Sequence, residues 1–177
     1  AESPIERVAR RAGDELMLIR ESDLPETPEI EIETDISVVH LTEDDAVILA
    51  GEDHIRIEVL GRPFHVSAAS FFQVNTAMAG KMVAHLLDNL PVSSATTLLD
   101  VYCGAGLFSA FFAPKVQRLI GIEIAPSACE DFVRNLDQFD NVELYEAPAE
   151  VVLPALDAKP EVVIVDPPRA GLDKKAL

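Results

Sequence analysis

The stretch Asp100-Val101-Tyr102-Cys103-Gly104-Ala105-Gly106-Leu107-Phe108-Ser109 decides how this chain is read. A buried-strand pattern, Thr97-Leu98-Leu99-Asp100-Val101-Tyr102, runs into two closely spaced glycines, and a short apolar helix pattern from Ala105 to Ala113 follows. Glycines let a backbone turn sharply and approach a ligand, and a helix start offers unpaired N–H groups to an anion. The pattern is incomplete as a dinucleotide fingerprint, because Ser109 stands where a third Gly or an Ala is wanted. Alone, the two glycines leave a purely structural turn open. Glu123 narrows the choice. It closes the next strand pattern 19 residues after Gly104, where such fingerprints place the acid that accepts ribose hydroxyls. The pair points to a nucleoside-containing ligand, with capping of the following helix as the other reading of Glu123.

Working outward, strands and helices alternate from Phe71 onward. Thr76 is the expected cap of a helix carrying Met78, Met82, Val83, Leu86, Leu87 and Leu90 at helical spacing up to Pro91. Arg118 to Ile124 reads as a strand, and Pro126 opens a helix through Phe132, Val133 and Leu136. Val142 to Tyr145 is a third strand, Ala149 to Leu156 a third crossover helix, and Glu161 to Asp166 a fourth strand. Such alternation predicts α/β architecture with a parallel sheet.

Residues 1–70 read differently, as a small β-rich unit expected to be antiparallel. Glu15 to Arg20, the alternating Glu29-Ile30-Glu31-Ile32-Glu33, Val38 to Leu41, Ala46 to Leu49 and Ile55 to Val59 are its strand patterns. Pro25 and Pro28, Asp44-Asp45, Gly51 and Gly61 punctuate them. Two domains are therefore expected, 1–70 and 71–177.

Composition sets limits on function. Fourteen Lys and Arg against 31 Asp and Glu give a net charge of −17, which argues against a surface that grips phosphates by itself. No apolar run approaches the length of a membrane span, and the N-terminal residues lack the basic-then-apolar order of a signal peptide. Two cysteines, Cys103 and Cys129, make neither a disulfide framework nor a four-thiolate metal site, so a reduced, cytoplasmic setting is expected. His40, His54, His65 and His85 show no ligand spacing, and no metal is expected. Starting at Ala1 and stopping at Leu177, the chain reads as a piece of a longer protein.

A third constellation, Asp166-Pro167-Pro168-Arg169-Ala170-Gly171-Leu172, follows the fourth strand. Ligands of open α/β sheets bind outside the carboxyl ends of the strands, and paired prolines stiffen the support of Asp166 there. Together with Phe71-Phe72-Gln73-Val74-Asn75, the glycine stretch from Leu99 to Ser109, and Ile120-Gly121-Ile122-Glu123, this segment resembles the ordered motifs of the RNA uracil-5-methyltransferase family. The likeness is dense from about Gly51 to Leu172.

That resemblance implies a Rossmann-like class I methyltransferase fold, S-adenosylmethionine as cofactor, and methyl transfer to C5 of uracil in transfer or ribosomal RNA. It implies that Gln73, Tyr102, Gly104, Gly106, Leu107, Glu123 and Asp166 line the cofactor. Glu123 would take the ribose hydroxyls, and Asp166 would lie beside the methyl donor and the incoming uracil. The family's nucleophilic cysteine and its proton-removing glutamate would fall beyond Leu177, so no catalytic residue is expected in this chain and no turnover by the chain alone. Cys103 is expected to be core packing rather than a substitute nucleophile.

One position departs from the family pattern. Where an Asp or Asn often precedes Ala-Glu or Leu-Glu to read the adenine, this chain has Ala147-Pro148-Ala149-Glu150. Competing readings are a methyltransferase for another base or for protein, an NAD-dependent oxidoreductase, and a non-catalytic cofactor-binding module. Arg169 after the paired prolines counts against amino methyltransferases, which commonly place a target-stacking aromatic there, and the broken fingerprint counts against NAD. An incomplete sheet would also expose an edge through which copies could associate.

Overall fold

The computed structural model describes residues 6–13, 15–21, 36–42, 46–168 and 171. The chain divides into two compact units, Ala1–Ser70 and Phe71–Leu177.

In the first unit, strands β1 (Glu6–Ala12), β2 (Glu15–Glu21), β3 (Ser37–Leu41) and β4 (Ala46–Ala50) form one sheet in that order. A hairpin of β5 (His54–Val59) and β6 (Arg62–Ser67) packs β5 against β1 and β2. Three expectations change. The sheet is mixed, since β2 and β3 run parallel between antiparallel partners. Strand β1, Glu6-Arg7-Val8-Ala9-Arg10-Arg11-Ala12, escaped notice because its charged side chains break the apolar alternation. Strand β6 escaped because Pro63 argues against a strand, yet a proline is tolerated on an edge. The turn between β5 and β6 places Leu60 and Gly61 at φ 51° and 78°, the left-handed geometry of a two-residue hairpin turn. Register then buries Ile55, Ile57 and Val59 with Phe64 and Val66, and turns His54, Arg56 and His65 to the opposite face. The expected strand at Glu29–Glu33, with its flanking prolines, lies outside the described residues.

In the second unit, helix α1 (Thr76–Asn89) leads into β7 (Thr97–Val101), α2 (Leu107–Phe112) with a 3-10 turn over Ala113–Lys115, β8 (Arg118–Glu123), α3 (Pro126–Leu136), β9 (Val142–Glu146), α4 (Ala149–Ala155) and β10 (Val162–Val165). All pairings are parallel, in the order β10-β7-β8-β9. The chain winds outward from β7 through β8 to β9 and then returns to the other side of β7. Strand order therefore reverses between β7 and β10, and a ligand crevice is expected beyond their carboxyl ends.

Each face of the sheet has its own cover. Leu99, Val101, Ile120 and Ile122 pack with Ala149 and Val152 of α4. The alternate positions face α2 and α3: Ser109 of α2 bonds Asp100, and a Cβ on Gly121 would sit 2.9 Å from the Phe132 ring of α3. Glycine at 121 thus lets α3 lie close on β8.

The cap of α1 is Asn75 rather than Thr76. Its side-chain oxygen accepts the Met78 N–H at 2.9 Å, and Thr76 is the first helical residue. Ala79, Gly80 and Val83 carry the buried face of that helix, while Met78 and Met82 are exposed. Pro114 sits inside the 3-10 turn rather than ending α2 directly. No helix among the described residues is long and apolar enough to cross a membrane.

Candidate active site at the carboxyl ends of the parallel strands

Strand β7 delivers the glycine turn. The N–H groups of Tyr102 and Cys103 both donate to Ile122 O, at 2.9 and 3.1 Å, which pins the turn to the end of β8. Tyr102, Gly104 and Gly106 have φ of 65°, 53° and 86°. Tyr102 pays a conformational cost there that glycine would avoid, and its partly buried ring packs on the α4-side core.

The two glycines serve different needs. A Cβ on Gly106 would lie 2.5 Å from Leu136 Cδ1 and 3.0 Å from Phe132 Cδ2, so this glycine lets α3 close on the turn. A Cβ on Gly104 would meet nothing within 4 Å. Gly104 opens to space, and a ligand can approach its backbone. Leu107, the first residue of α2, is buried in the core. Asn135 Nδ2 donates to Ala105 O at 2.9 Å and fixes the turn from the α3 side.

Glu123 ends β8 and faces that turn. Its Oε2 accepts the Gly104 N–H at 3.0 Å, and its Oε1 accepts those of Ile124 and Ala125 at 2.8 and 2.9 Å. Glu123 thus ties the glycine turn to the residues just before α3, whose N-cap, Ala125, has no side-chain cap bond. A carboxylate has about four acceptor positions, so three N–H bonds leave capacity for a hydroxyl donor.

Asp100 is the residue that sequence reasoning quoted but did not single out. It is 1% exposed, its Oδ2 accepts the Ser109 O–H at 2.6 Å, and its Oδ1 is buried with no hydrogen-bond partner. Burial pushes its carboxyl up to about 6; the Ser109 bonds oppose that shift, and the negative charges of Asp166 and Glu123 add to it. An acid inside an otherwise apolar strand was the available signal. A buried carboxylate oxygen without a donor is costly, and a cationic or N–H-bearing ligand would relieve it.

Asp166 follows β10, and its N–H extends the ladder to Val101 O at 3.3 Å. Its side chain is exposed. Pro167 and Pro168 hold the exit, and Gly171, at φ 80°, donates to Pro168 O at 2.8 Å. Arg169, Ala170 and Leu172 lie outside the described residues, as do Lys174 and Lys175. Gln73 is half-buried in the lead-in to α1 and makes no hydrogen bond among the described residues. The structure thus joins Gly104 to Glu123 directly and Tyr102 to the neighbouring Ile122, sets Asp166 within electrostatic reach of Asp100, and leaves Gln73 without a hydrogen bond to them among the described residues.

Neither thiol is poised for attack. Burial pushes Cys103 well above the usual range, with Asp100 and Glu123 adding to the shift, and burial pushes Cys129 up to about 11. Both remain protonated at neutral pH. Cys129 Sγ instead donates to Glu123 O at 3.6 Å, and that same carbonyl accepts the Ala147 N–H at 2.9 Å.

The histidines give a different result from their sequence spacing. Asp53, His54 and His65 come together in the first unit, with one potential ligand atom from each lying within 4.8 Å of the others. Cross-strand register, invisible in linear spacing, makes the cluster.

Comparison with known proteins identifies the family and the fold. Residues 29–177 match the family described as tRNA (Uracil-5-)-methyltransferase. An uncharacterized RNA methyltransferase of Clostridium tetani is 36% identical over 136 residues, which cover 76% of this chain and 30% of the relative. The tRNA (uracil-5-)-methyltransferase homolog A of Mus musculus is 36% identical over 135 residues, covering 73% of this chain and 22% of the relative. Among solved structures, Pyrococcus abyssi tRNA (uracil-54, C5)-methyltransferase in complex with S-adenosyl-L-homocysteine superposes with a TM-score of 0.71 at 24% identity. It covers 96% of this chain and 45% of its own. The M. jannaschii tRNA m1G37 methyltransferase gives 0.58 at 19% identity, over 93% and 54% of the two chains. These likenesses establish the class I methyltransferase fold. The chain spans less than a third of the length of the curated relatives it matches.

Proposed function

The chain belongs to the tRNA (uracil-5-)-methyltransferase family, and from that premise we propose that residues 71–177 hold S-adenosylmethionine for methyl transfer to C5 of uracil in transfer or ribosomal RNA. The observation that carries the proposal is the buried, partnerless Oδ1 of Asp100 on β7, the strand at which the sheet order reverses, with two further carboxylates close enough to raise its pKa. Three acids on three adjacent parallel strands make a well of negative potential. S-adenosylmethionine carries an ammonium and a sulfonium, and when bound it supplies an electrophilic methyl group.

In this reading Glu123 tethers the ribose hydroxyls while keeping the Gly104 N–H. Gly104 lets the ligand lie against backbone, and Tyr102 contributes its main chain. Gly106 and Leu107 act from beneath, by seating the turn on α3 and the core. Asp100 and Asp166 complement positive charge, and Asp166, being exposed, is the one that also meets the incoming base. Gln73 reaches the cofactor from the α1 lead-in. Ala147 and Pro148 offer no side-chain acceptor, so the adenine is held by apolar packing and backbone.

Uracil C5 becomes nucleophilic only after a thiolate adds to C6. Cys103 and Cys129, both protonated and buried, do not suit that step. This chain supplies the cofactor half of the reaction, and its net charge of −17 assigns the grip on RNA to segments of the longer protein. Calorimetry of the 177-residue chain tests the reading. S-adenosylhomocysteine should bind at one site with micromolar affinity and NAD should not; binding of NAD alone, or of neither, overturns it.

A further inference from the structure

We propose that Asp53, His54 and His65 form a transition-metal site on the outer face of the β5–β6 hairpin, selective for zinc-like ions over magnesium. Register explains the cluster. His54 pairs with Ser67 and Arg56 with His65 in the antiparallel ladder, so the two histidines are diagonal neighbours on the face opposite Ile55, Ile57, Phe64 and Val66. Asp53 immediately precedes β5, and its carbonyl accepts the Ala68 N–H at 2.8 Å, which ties the open end of the hairpin shut beside the cluster.

The side chains are already close. His54 Nδ1 lies 2.8 Å from Asp53 Oδ1, and the rings of His54 and His65 stack with centroids 3.9 Å apart and planes tilted by 27°. Two ligands each roughly 2.0–2.2 Å from a tetrahedral zinc ion stand about 3.3–3.6 Å apart, so this pair opens by about half an ångström to take one. An ion replacing the proton shared by Nδ1 and Oδ1 therefore needs little movement of that pair. His65 joins by turning its ring out of the stack, for which its partial exposure leaves room.

Two imidazoles and one carboxylate, with the remaining position left to solvent, form a donor set of the kind that holds zinc, cobalt or nickel. Magnesium prefers six oxygen ligands and is poorly served by it. Arg56, the cross-strand partner of His65, puts a cation on this face, and Glu52 and Glu58 flank His54 in sequence. All three ligands belong to the first unit.

Titration of the purified chain with cobalt, followed by visible d–d absorption, and with zinc, followed by calorimetry, tests the site. One ion per chain at micromolar affinity is expected, together with a rise in melting temperature on zinc addition and no displacement by millimolar magnesium. His54→Gln, His65→Gln and Asp53→Asn should each weaken zinc binding by about tenfold or more, while S-adenosylhomocysteine affinity stays unchanged. If one histidine variant fails to fold, the other carries the test. Unaltered zinc affinity in the folded variants, displacement by magnesium, or a thiolate-to-cobalt charge-transfer band marking Cys103 or Cys129 as the ligand would overturn the assignment.

Discussion

Ser109 Oγ donates to Asp100 Oδ2 at 2.6 Å, so the residue that breaks the glycine fingerprint is the one that holds the buried acid in place. A glycine or alanine at 109 would remove the hydroxyl donor to Asp100 and leave only the backbone bond from position 109. The departure from the fingerprint and the acid inside the strand are one feature.

That pairing gives a pH signature. The Asp100 carboxyl titrates near 6 in the fold and near its ordinary value of about 3.9 when unfolded. Between those values the folded chain keeps a proton that the unfolded chain has lost, so stability falls as pH rises from about 4 to about 6 and is level above. Asp100→Asn should remove this dependence and raise stability at pH 7 by about 1–3 kcal/mol, read by urea unfolding at several pH values. The same variant should lower S-adenosylmethionine affinity by about tenfold or more, because the carboxylate no longer complements positive charge.

Removal of the Glu123 carboxylate should act on both ligand and turn. Glu123→Ala deletes the acceptor of three backbone N–H groups, and the expected loss in S-adenosylhomocysteine affinity is about ten- to a hundredfold. Glu123→Gln keeps one oxygen and should fall between. Calorimetry on the two variants decides; an affinity equal to that of the parent chain in both would refute the ribose role.

Gly104 and Gly106 should separate binding from folding. Gly106→Ala forces a Cβ into Leu136 and Phe132 at φ 86° and should cost about 3 kcal/mol or more, through overpacking and left-handed strain together. Gly104→Ala meets open space at φ 53°, so its stability cost should be only about 1–2 kcal/mol. Its effect on S-adenosylhomocysteine binding should be the larger one, since the added methyl would enter the open space that the proposed ligand would occupy. Thermal unfolding beside calorimetry distinguishes the two.

Both cysteines should behave as inert thiols. Burial raises each above the neutral range, so native-state alkylation by iodoacetamide at pH 7.5 should be slow and should become fast only in denaturant. By the same reasoning the 177-residue chain should incorporate no methyl into uracil-containing RNA. Turnover by this chain would give one of these thiols a catalytic role.

Much of the second unit was legible along the chain because its determinants are local. Apolar strands, a glycine turn, Pro126 at a helix start and the 19-residue interval from Gly104 to Glu123 are set by neighbouring residues, and they fix α/β winding and the place of the turn. What the sequence determined, then, was the order of the parallel elements, the family, and the glycine–glutamate pair. Tertiary structure alone decided the rest, because those features depend on which chains lie side by side. Register pairs Arg56 with His65 and so brings His54, His65 and Asp53 together, and it sets β2 parallel to β3. Packing of α2 on β7 seals Asp100 from water and makes it the acid whose charge the site must balance. The close approach of Leu136 and Phe132 separates Gly106, needed for packing, from Gly104, open toward the crevice. Linear spacing carries no record of such distances, since they arise only when strands far apart in sequence share a sheet.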